Sequence, residues 1–358
     1  MVRKTVVSAF WVIALSLSMG SGAVQAFELN GFGDASFSKC TDPCPEEMGR
    51  NGNFAFGTLD LYLAEEKENV DILVELVIEE GAIIDLERLT LGYTFNDALK
   101  IRAGRVHTPL GFWNTSFHHG SQLQPTINRP EFLVFEDDGG ILPVHTVGIY
   151  LSGRVKTDAL TAEYGVLVGN GARMTSEDGS SSVISPNNVA DNSGGKSVAF
   201  HAALSPRMVS GLKVGVSGHM ARIQDDDSPG VTDVDVDQTI LNASLMYTLG
   251  NLDLMGEYFS IKDEDKIGAA GDNTSNAYYG LISYTVADRW VPYLLYENMS
   301  VTETDPYFAA LGTADVQKSV VGLRYNLSYR SSIKAEFRGV EWGSDDWNEY
   351  GIQWSLAF

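Results

Sequence analysis

An antiparallel β-barrel of about sixteen strands that crosses a lipid bilayer is the fold class this sequence predicts, on three observations. Segments of ten or so residues carry apolar side chains at every second position, which gives a strand one oily and one wet face. These segments come out even in number, so both ends of the chain return to one side of a closed sheet. The connections between them alternate between long and short, the pattern of a barrel with long outer loops and tight inner turns.

The chain of 358 residues opens with Arg3 and Lys4, an apolar run from Val6 to Met19, and small residues ending at Val24-Gln25-Ala26. A basic head, an apolar core too short to span a bilayer and a small-residue cleavage site make residues 1–26 an export signal. A single barrel domain is expected over 27–358. Without Arg3 and Lys4 the balance is 23 basic against 47 acidic residues. That acidity argues against nucleic acid as a partner, because a phosphate-binding surface must be basic. The only cysteines, Cys40 and Cys44 in CTDPC, are expected to form a disulfide in an exported chain, with Pro43 helping the backbone to turn. No Cys-x-x-Cys-His and no nearby histidine supports haem or metal there, and no cofactor is expected.

The strand segments read as 28–38, 52–65, 68–79, 84–95, 98–106, 144–155, 158–169 and 196–205, then 210–223, 236–249, 251–262, 275–287, 289–302, 316–328, 331–342 and 346–358. The clearest is 70–79, where Val70, Ile72, Val74, Leu76 and Ile78 alternate with Asp71, Leu73, Glu75, Val77 and Glu79. Tight turns such as Phe95-Asn96-Asp97-Ala98, Leu249-Gly250-Asn251 and Ser328-Tyr329-Arg330-Ser331 carry the residues that turn chemistry favours. Outer connections at 39–51, 107–143, 170–195, 224–235, 263–274 and 303–315 are long or acidic, while 80–83 and 343–345 are short. The stretch His107 to Pro143 stands apart: it is about three times an ordinary connection and carries neither the strand nor the helix period.

The last segment, Tyr350-Gly351-Ile352-Gln353-Trp354-Ser355-Leu356-Ala357-Phe358, resembles the C-terminal signal by which bacterial outer-membrane barrels are recognised for assembly. Its Tyr350, Ile352, Trp354, Leu356 and Phe358 are expected to face lipid, with Gly351, Gln353, Ser355 and Ala357 toward the lumen. Over the whole mature length the chain resembles the Gram-negative sixteen-stranded outer-membrane porins. In those proteins the third outer loop, after the fifth strand, folds into the lumen and narrows it. Here the third outer connection is 107–143, and it follows the fifth segment. Where general porins carry Pro-Glu-Phe-Gly-Gly in that loop, this chain has Pro130-Glu131-Phe132 followed by Leu133-Val134, with Gly139-Gly140 later. Gly104-Arg105 and Thr108-Pro109-Leu110-Gly111 are similar to a short stretch of the phosphate-selective porins. The resemblance implies passive diffusion of small hydrophilic solutes or ions, an outer-membrane location among lipid and lipopolysaccharide, delivery by the barrel assembly machinery, and a possible homotrimer.

With the loop inside, its carboxylates Glu131, Glu136, Asp137 and Asp138 are expected to meet basic residues of lumen parity on the opposite wall. These are Arg88, Arg102, Lys318, Arg324, Lys334 and Arg338, and a transverse field between the two sets would filter ions. His118 and His119 lie side by side in the loop, with His107 and His145 at its edges. Zinc binding or acid–base chemistry would need a third group at fixed spacing, and none is present. His201 and His219 are expected about four residues out of register, about 13 Å apart along the strands, too far to share a metal. Asp225-Asp226-Asp227 and Asp233, Asp235 and Asp237 lack the glycine and terminal glutamate of a calcium hand and read as solvated outer loop, the alternative being carboxylates that hold Ca²⁺ or Mg²⁺ bridging to lipopolysaccharide. A sleeve around a partner such as an electron-carrying cytochrome, and a hydrolase using the loop histidines, are the alternative readings.

Overall fold

The computed structural model describes residues 28–41, 43–44, 51–79, 83–117, 120–136, 140–175, 183–185, 195–225, 234–268 and 270–358. The expected export signal, His118, His119, Asp137, Asp138, Asp226, Asp227 and Asp233 lie outside the described residues.

The sixteen wall strands close into a barrel because each of them finds two antiparallel partners. In chain order they are β1 (Glu28–Cys40), β2 (Asn53–Lys67), β3 (Val70–Glu79), β4 (Ile83–Asn96), β5 (Leu99–His107), β6 (His145–Lys156) and β7 (Leu160–Asn170). Two short strands, β8 (Arg173–Thr175) and β9 (Val183–Ile184), form a hairpin inside the connection 170–195. The wall resumes with β10 (Lys196–Pro206), β11 (Leu212–Asp225), β12 (Asp235–Leu249), β13 (Leu252–Asp265), β14 (Asp272–Tyr284), β15 (Trp290–Ser300), β16 (Val316–Ser328), β17 (Ser331–Trp342) and β18 (Asp345–Ala357). Pairing of β7 with β10 bypasses the hairpin, and β1 pairs with β18 to seal a wall of sixteen strands. Each of the sixteen expected segments lies on one wall strand, to within three residues at either end. The β8–β9 hairpin was not expected. It is three and two residues long, below the length at which alternation can be read.

Alternation sorts the two faces as the pattern demands. Tyr350, Ile352, Trp354, Leu356 and Phe358 are all exposed on the lipid side, while Gly351, Gln353 and Ser355 are buried on the lumen side. The ends of the chain meet at the inner rim, where Gly31 N donates to Phe358 O at 3.1 Å and Phe358 N to Gly31 O at 3.0 Å. One register differs from expectation: His201 stands opposite Ser217, and His219 opposite Ala199, so the two rings are two residues out of step and not four. The β10–β11 turn reaches through Arg207–Gly211, with Gly211 at φ 84°, which shifts the hairpin centre by one residue. Cys40 and Cys44 are joined by a disulfide with Cα atoms 6.2 Å apart, packed against Val340 and Trp347 at the outer rim.

Among the described residues two α-helices sit in the long outer connections. Helix α1 (Phe112–Ser116) opens the loop after β5, and α2 (Pro306–Leu311) lies between β15 and β16 with Asp305 as its N-cap. A charge on the lipid face near the bilayer middle loses its hydration without a partner. Ile352→Arg is therefore expected to destabilise the barrel by about 2–4 kcal/mol, read by urea unfolding in lipid vesicles.

Candidate functional site

The ends of the long loop are clamped side by side. His107 and His145 are directly opposed at the outer end of the β5–β6 pair, their ring centroids 5.5 Å apart. Beside them the Thr108 and Thr146 hydroxyls share a hydrogen bond of 2.8 Å, and just beyond them Thr108 N donates to Val144 O at 2.8 Å. From this neck the chain turns inward. Gly111, at φ 78°, brings the start of α1 against β13, where a Cβ would lie 2.9 Å from both Glu257 Oε2 and Phe259 Cζ. A residue with a side chain would be strained there on both counts.

Three inward-facing wall carboxylates receive the loop's backbone. Glu257 on β13 accepts from Phe112 N at 2.6 Å and Trp113 N at 2.8 Å, and also from the Tyr279 hydroxyl at 2.9 Å. The N-cap of α1 is Gly111, which has no side chain to cap it. Glu257 supplies the cap from across the lumen, satisfying N–H groups that a helix start leaves without partners. Glu336 on β17 accepts from Ile127 N at 2.6 Å and from the Tyr293 hydroxyl at 2.7 Å. Glu297 on β15 accepts from Glu131 N at 2.6 Å. The three acids occupy alternate strands and mark out the course of the loop along one wall.

Wall cations bind the same loop, mostly by its carbonyls. Lys334 Nζ donates to Thr126 O at 2.8 Å and to Ser121 O, and Arg324 Nη1 donates to Gln124 O at 3.1 Å. Lys318 Nζ lies 2.9 Å from Glu131 Oε2, which among the described loop carboxylates is the one that meets the basic wall. Arg338 does not reach the loop; it bonds to Glu336 at 2.6 Å and Glu349 at 3.0 Å and so holds Glu336 in place. Glu136 departs from expectation: it accepts from His145 N at 2.9 Å and lies 3.2 Å from His145 Nδ1, while His145 Nε2 is 2.7 Å from Glu87. Its position at the returning end of the loop puts it beside the neck, not beside the basic wall. Arg88 pairs with Glu75, and Arg102 with Asp71 at 2.9 Å, both within the wall.

These contacts correct the idea of a field across water. Lys318 and Lys334 are 4 % and 0 % exposed, covered by the loop they were expected to face, and Arg338, 3 % exposed, is held between Glu336 and Glu349 of the wall. Backbone carbonyls and a carboxylate brought against a cation replace its lost hydration, whereas an open gap would leave it to water. The same wall is also more apolar than alternation suggested. Leu110, Trp113, Phe132 and Leu133 of the loop pack in one cluster with Phe259, Ile261, Tyr279, Leu281 and Leu295, all of which point inward. Trp113 and Tyr279 meet edge to face at 5.4 Å, and Phe132 and Phe259 at 5.5 Å. The loop and β11–β16 thus form a small hydrophobic core inside the barrel.

Open space lies on the other side of the loop. A cavity of about 750 Å³ is lined by Glu66, Asp71, Arg88, Arg102, His107 and Tyr150 of the wall and by Pro109 and Thr115 of the loop. A second of about 370 Å³ lies between Asp34, Gly57 and Glu349 on the wall and Asn128, Arg129 and Phe135 on the loop. Acid and base alternate across the first wall, as Asp71–Arg102, Glu75–Arg88 and Glu87–Arg105. Glu257, Glu297 and Glu336 were missed as site residues, although each is a carboxylate on the inward parity of a strand. Carboxylates set among inward apolar neighbours were the available signal.

A closed outer-membrane barrel with a long loop folded against its inner wall defines the class of channel-forming β-barrel proteins. The model of the Gram-negative porin family matches residues 136–341, more than half of the chain, and the protein belongs to that family. It is an outer-membrane, multi-pass β-barrel. No curated protein sequence matches it. Among solved structures, the anion-selective porin from Comamonas acidovorans is similar with TM-score 0.63 at 16 % identity, over 93 % of this chain and 99 % of that one. The trimer form of OmpT, an outer membrane protein of Vibrio cholerae, aligns with TM-score 0.60 at 13 % identity, over 93 % and 99 %. OmpF of Salmonella typhi, in complex with daunomycin, aligns with TM-score 0.59 at 12 % identity, over 93 % and 97 %.

Glu257→Ala would leave two backbone N–H groups and the Tyr279 hydroxyl without an acceptor. It is expected to lower stability by at least about 2 kcal/mol, with Glu257→Gln, which keeps one oxygen, costing clearly less. Urea unfolding of the two variants beside the parent protein measures both values.

Proposed function

We propose that this porin carries small hydrophilic solutes and ions passively through the part of the lumen that the loop leaves free, along the wall of β2–β6. The observation that carries the reading is the division of the lumen. One wall is sealed by loop and core, and the other keeps a cavity of about 750 Å³ lined by charged side chains. Such a lining keeps water and polar solutes solvated, and its paired charges leave neither sign exposed in excess. On the sealed wall Lys318, Lys334 and Arg338 are buried, and Arg324 is half-buried and bonded to a loop carbonyl, so this wall offers anions little. The balance then falls to the net negative charge of the chain, −22 by formula, which favours cations.

Assembly as a homotrimer among lipid and lipopolysaccharide belongs to this reading, as does recognition of Tyr350, Gly351, Trp354, Leu356 and Phe358 by the barrel assembly machinery. Glu131 and Glu136 act in it as fixed points of the constriction loop, Glu131 on Lys318 and Glu136 on His145. No covalent step is involved.

Reconstituted into a planar bilayer, the protein is expected to give stepwise conductance that persists when His118 and His119 are both replaced by Ala. Its reversal potential in a KCl gradient should have the sign of cation preference. Silence without an added partner would favour the sleeve, hydrolysis lost with the histidines would favour an enzyme, and anion preference would contradict the charge argument.

A further inference from the structure

At the outer end of the barrel, three inward-facing side chains form a row across adjacent strands. Gln238 on β12 is directly opposed to Asp263 on β13, and Asp263 to Asn273 on β14. Direct cross-strand neighbours on one face lie about 5 Å apart at Cβ. Asp305, at the start of α2, closes over this row and stands in electrostatic contact with Asp263. All four residues are buried, from 0 % to 4 % exposed.

The oxygens of this group are left over from the fold. Asp305 spends Oδ1 on Tyr307 N at 3.0 Å, and its Oδ2 has no hydrogen-bond partner. Both carboxylate oxygens of Asp263 lack one, as do both amide atoms of Gln238. Asn273 Oδ1 accepts from the Thr304 hydroxyl at 3.0 Å, which turns the amide oxygen toward the loop. The lysines that flank Asp263 in sequence are engaged elsewhere: Lys262 with Asp272 at 2.7 Å, Lys266 with Asp237 at 2.7 Å and with Glu264 at 2.9 Å. Two carboxylates buried together with no cationic side chain on either are costly unless something positive joins them. Burial accordingly pushes the Asp305 carboxyl above its usual range.

We infer that Asp263, Asp305, Gln238 and Asn273 form a site for a hard divalent cation, Ca²⁺, that locks the outer connection carrying α2 onto the barrel rim. Two carboxylates and two amide oxygens, with water completing the shell, are the ligand set such an ion takes. No three His, Cys, Asp or Glu side chains among the described residues are grouped to hold a metal, and amides complete this set instead. Gln238 is the observation that makes the acid pair a site: its buried amide stands directly opposite Asp263 and near the Tyr307 hydroxyl, yet neither of its polar atoms makes a well-formed hydrogen bond. The consequence reaches the channel. Tyr307, one residue into α2, donates its hydroxyl to Ile141 O at 2.7 Å, so an ion that fixes α2 also fixes the returning arm of the constriction loop.

The test uses the full-length protein in detergent micelles, stripped with EGTA and then titrated with CaCl₂ by calorimetry, with thermal melting followed by circular dichroism. Parent protein is expected to bind one Ca²⁺ per chain and to melt at higher temperature when loaded. Asp263→Asn and Asp305→Asn, the second of which keeps an N-cap oxygen, should each lose at least tenfold in affinity. Asp263→Asn without Ca²⁺ should melt no lower than the stripped parent, because one buried charge is gone. Parent protein indifferent to Ca²⁺ in both measurements overturns the proposal and leaves the pair sharing a proton. Variants that bind as tightly as the parent overturn it too, and place the ion on the acidic outer loops.

Discussion

A long polar backbone cannot lie inside a barrel unless its N–H and C=O groups are met there, and this constraint governs how the lumen is built. A loop exposed to water satisfies its own backbone at no cost to the wall. One packed against an inner wall needs acceptors and donors supplied by that wall. Glu257, Glu297 and Glu336 supply the acceptors, and Lys318, Lys334 and Arg324 meet loop oxygens. The lumen parity of β13–β17 is therefore complementary to one particular loop course.

Polar anchoring and apolar packing reinforce each other. The carboxylates are too deeply placed to be stable without donors, and the apolar cluster of Trp113, Phe132 and Phe259 excludes the water that would otherwise provide them. Each buried acid also has a second partner from the wall or the loop: Tyr279 for Glu257, Tyr293 and Arg338 for Glu336, Lys318 at 3.8 Å for Glu297. Removing the loop would expose a row of acids and an oily patch together. Filling one wall in this way leaves the open cavity along the other, lined by paired charges.

Much of the architecture could be read in the chain because a barrel wall repeats one rule sixteen times. Alternation around Val70–Glu79 or Tyr350–Phe358 states which face a residue takes, and turn residues state where the chain reverses. The inward loop could be located for a different reason: it breaks that rule for 37 residues at the place where the resemblance puts a constriction. What alternation cannot state is what an inward residue touches. Phe259 and Leu281 have lumen parity, yet they face a loop core and not water. Lys334 has lumen parity, yet it is consumed by two carbonyls, at Ser121 and Thr126. Glu136 has the charge to face the basic wall, but its distance along the loop takes it back to His145. Such partners depend on the path of a segment without regular structure, which carries no periodic signal.

The central claim is that the loop's own backbone is bonded to buried wall carboxylates. Amide hydrogen exchange in lipid or micelles tests it most directly, residue by residue. The amides of Phe112, Trp113, Ile127 and Glu131 should be protected to the level of neighbouring strand amides, although none belongs to a β-ladder. Exchange of these four as fast as that of an exposed amide such as Asn128 would contradict the account and return the loop to the water above the channel.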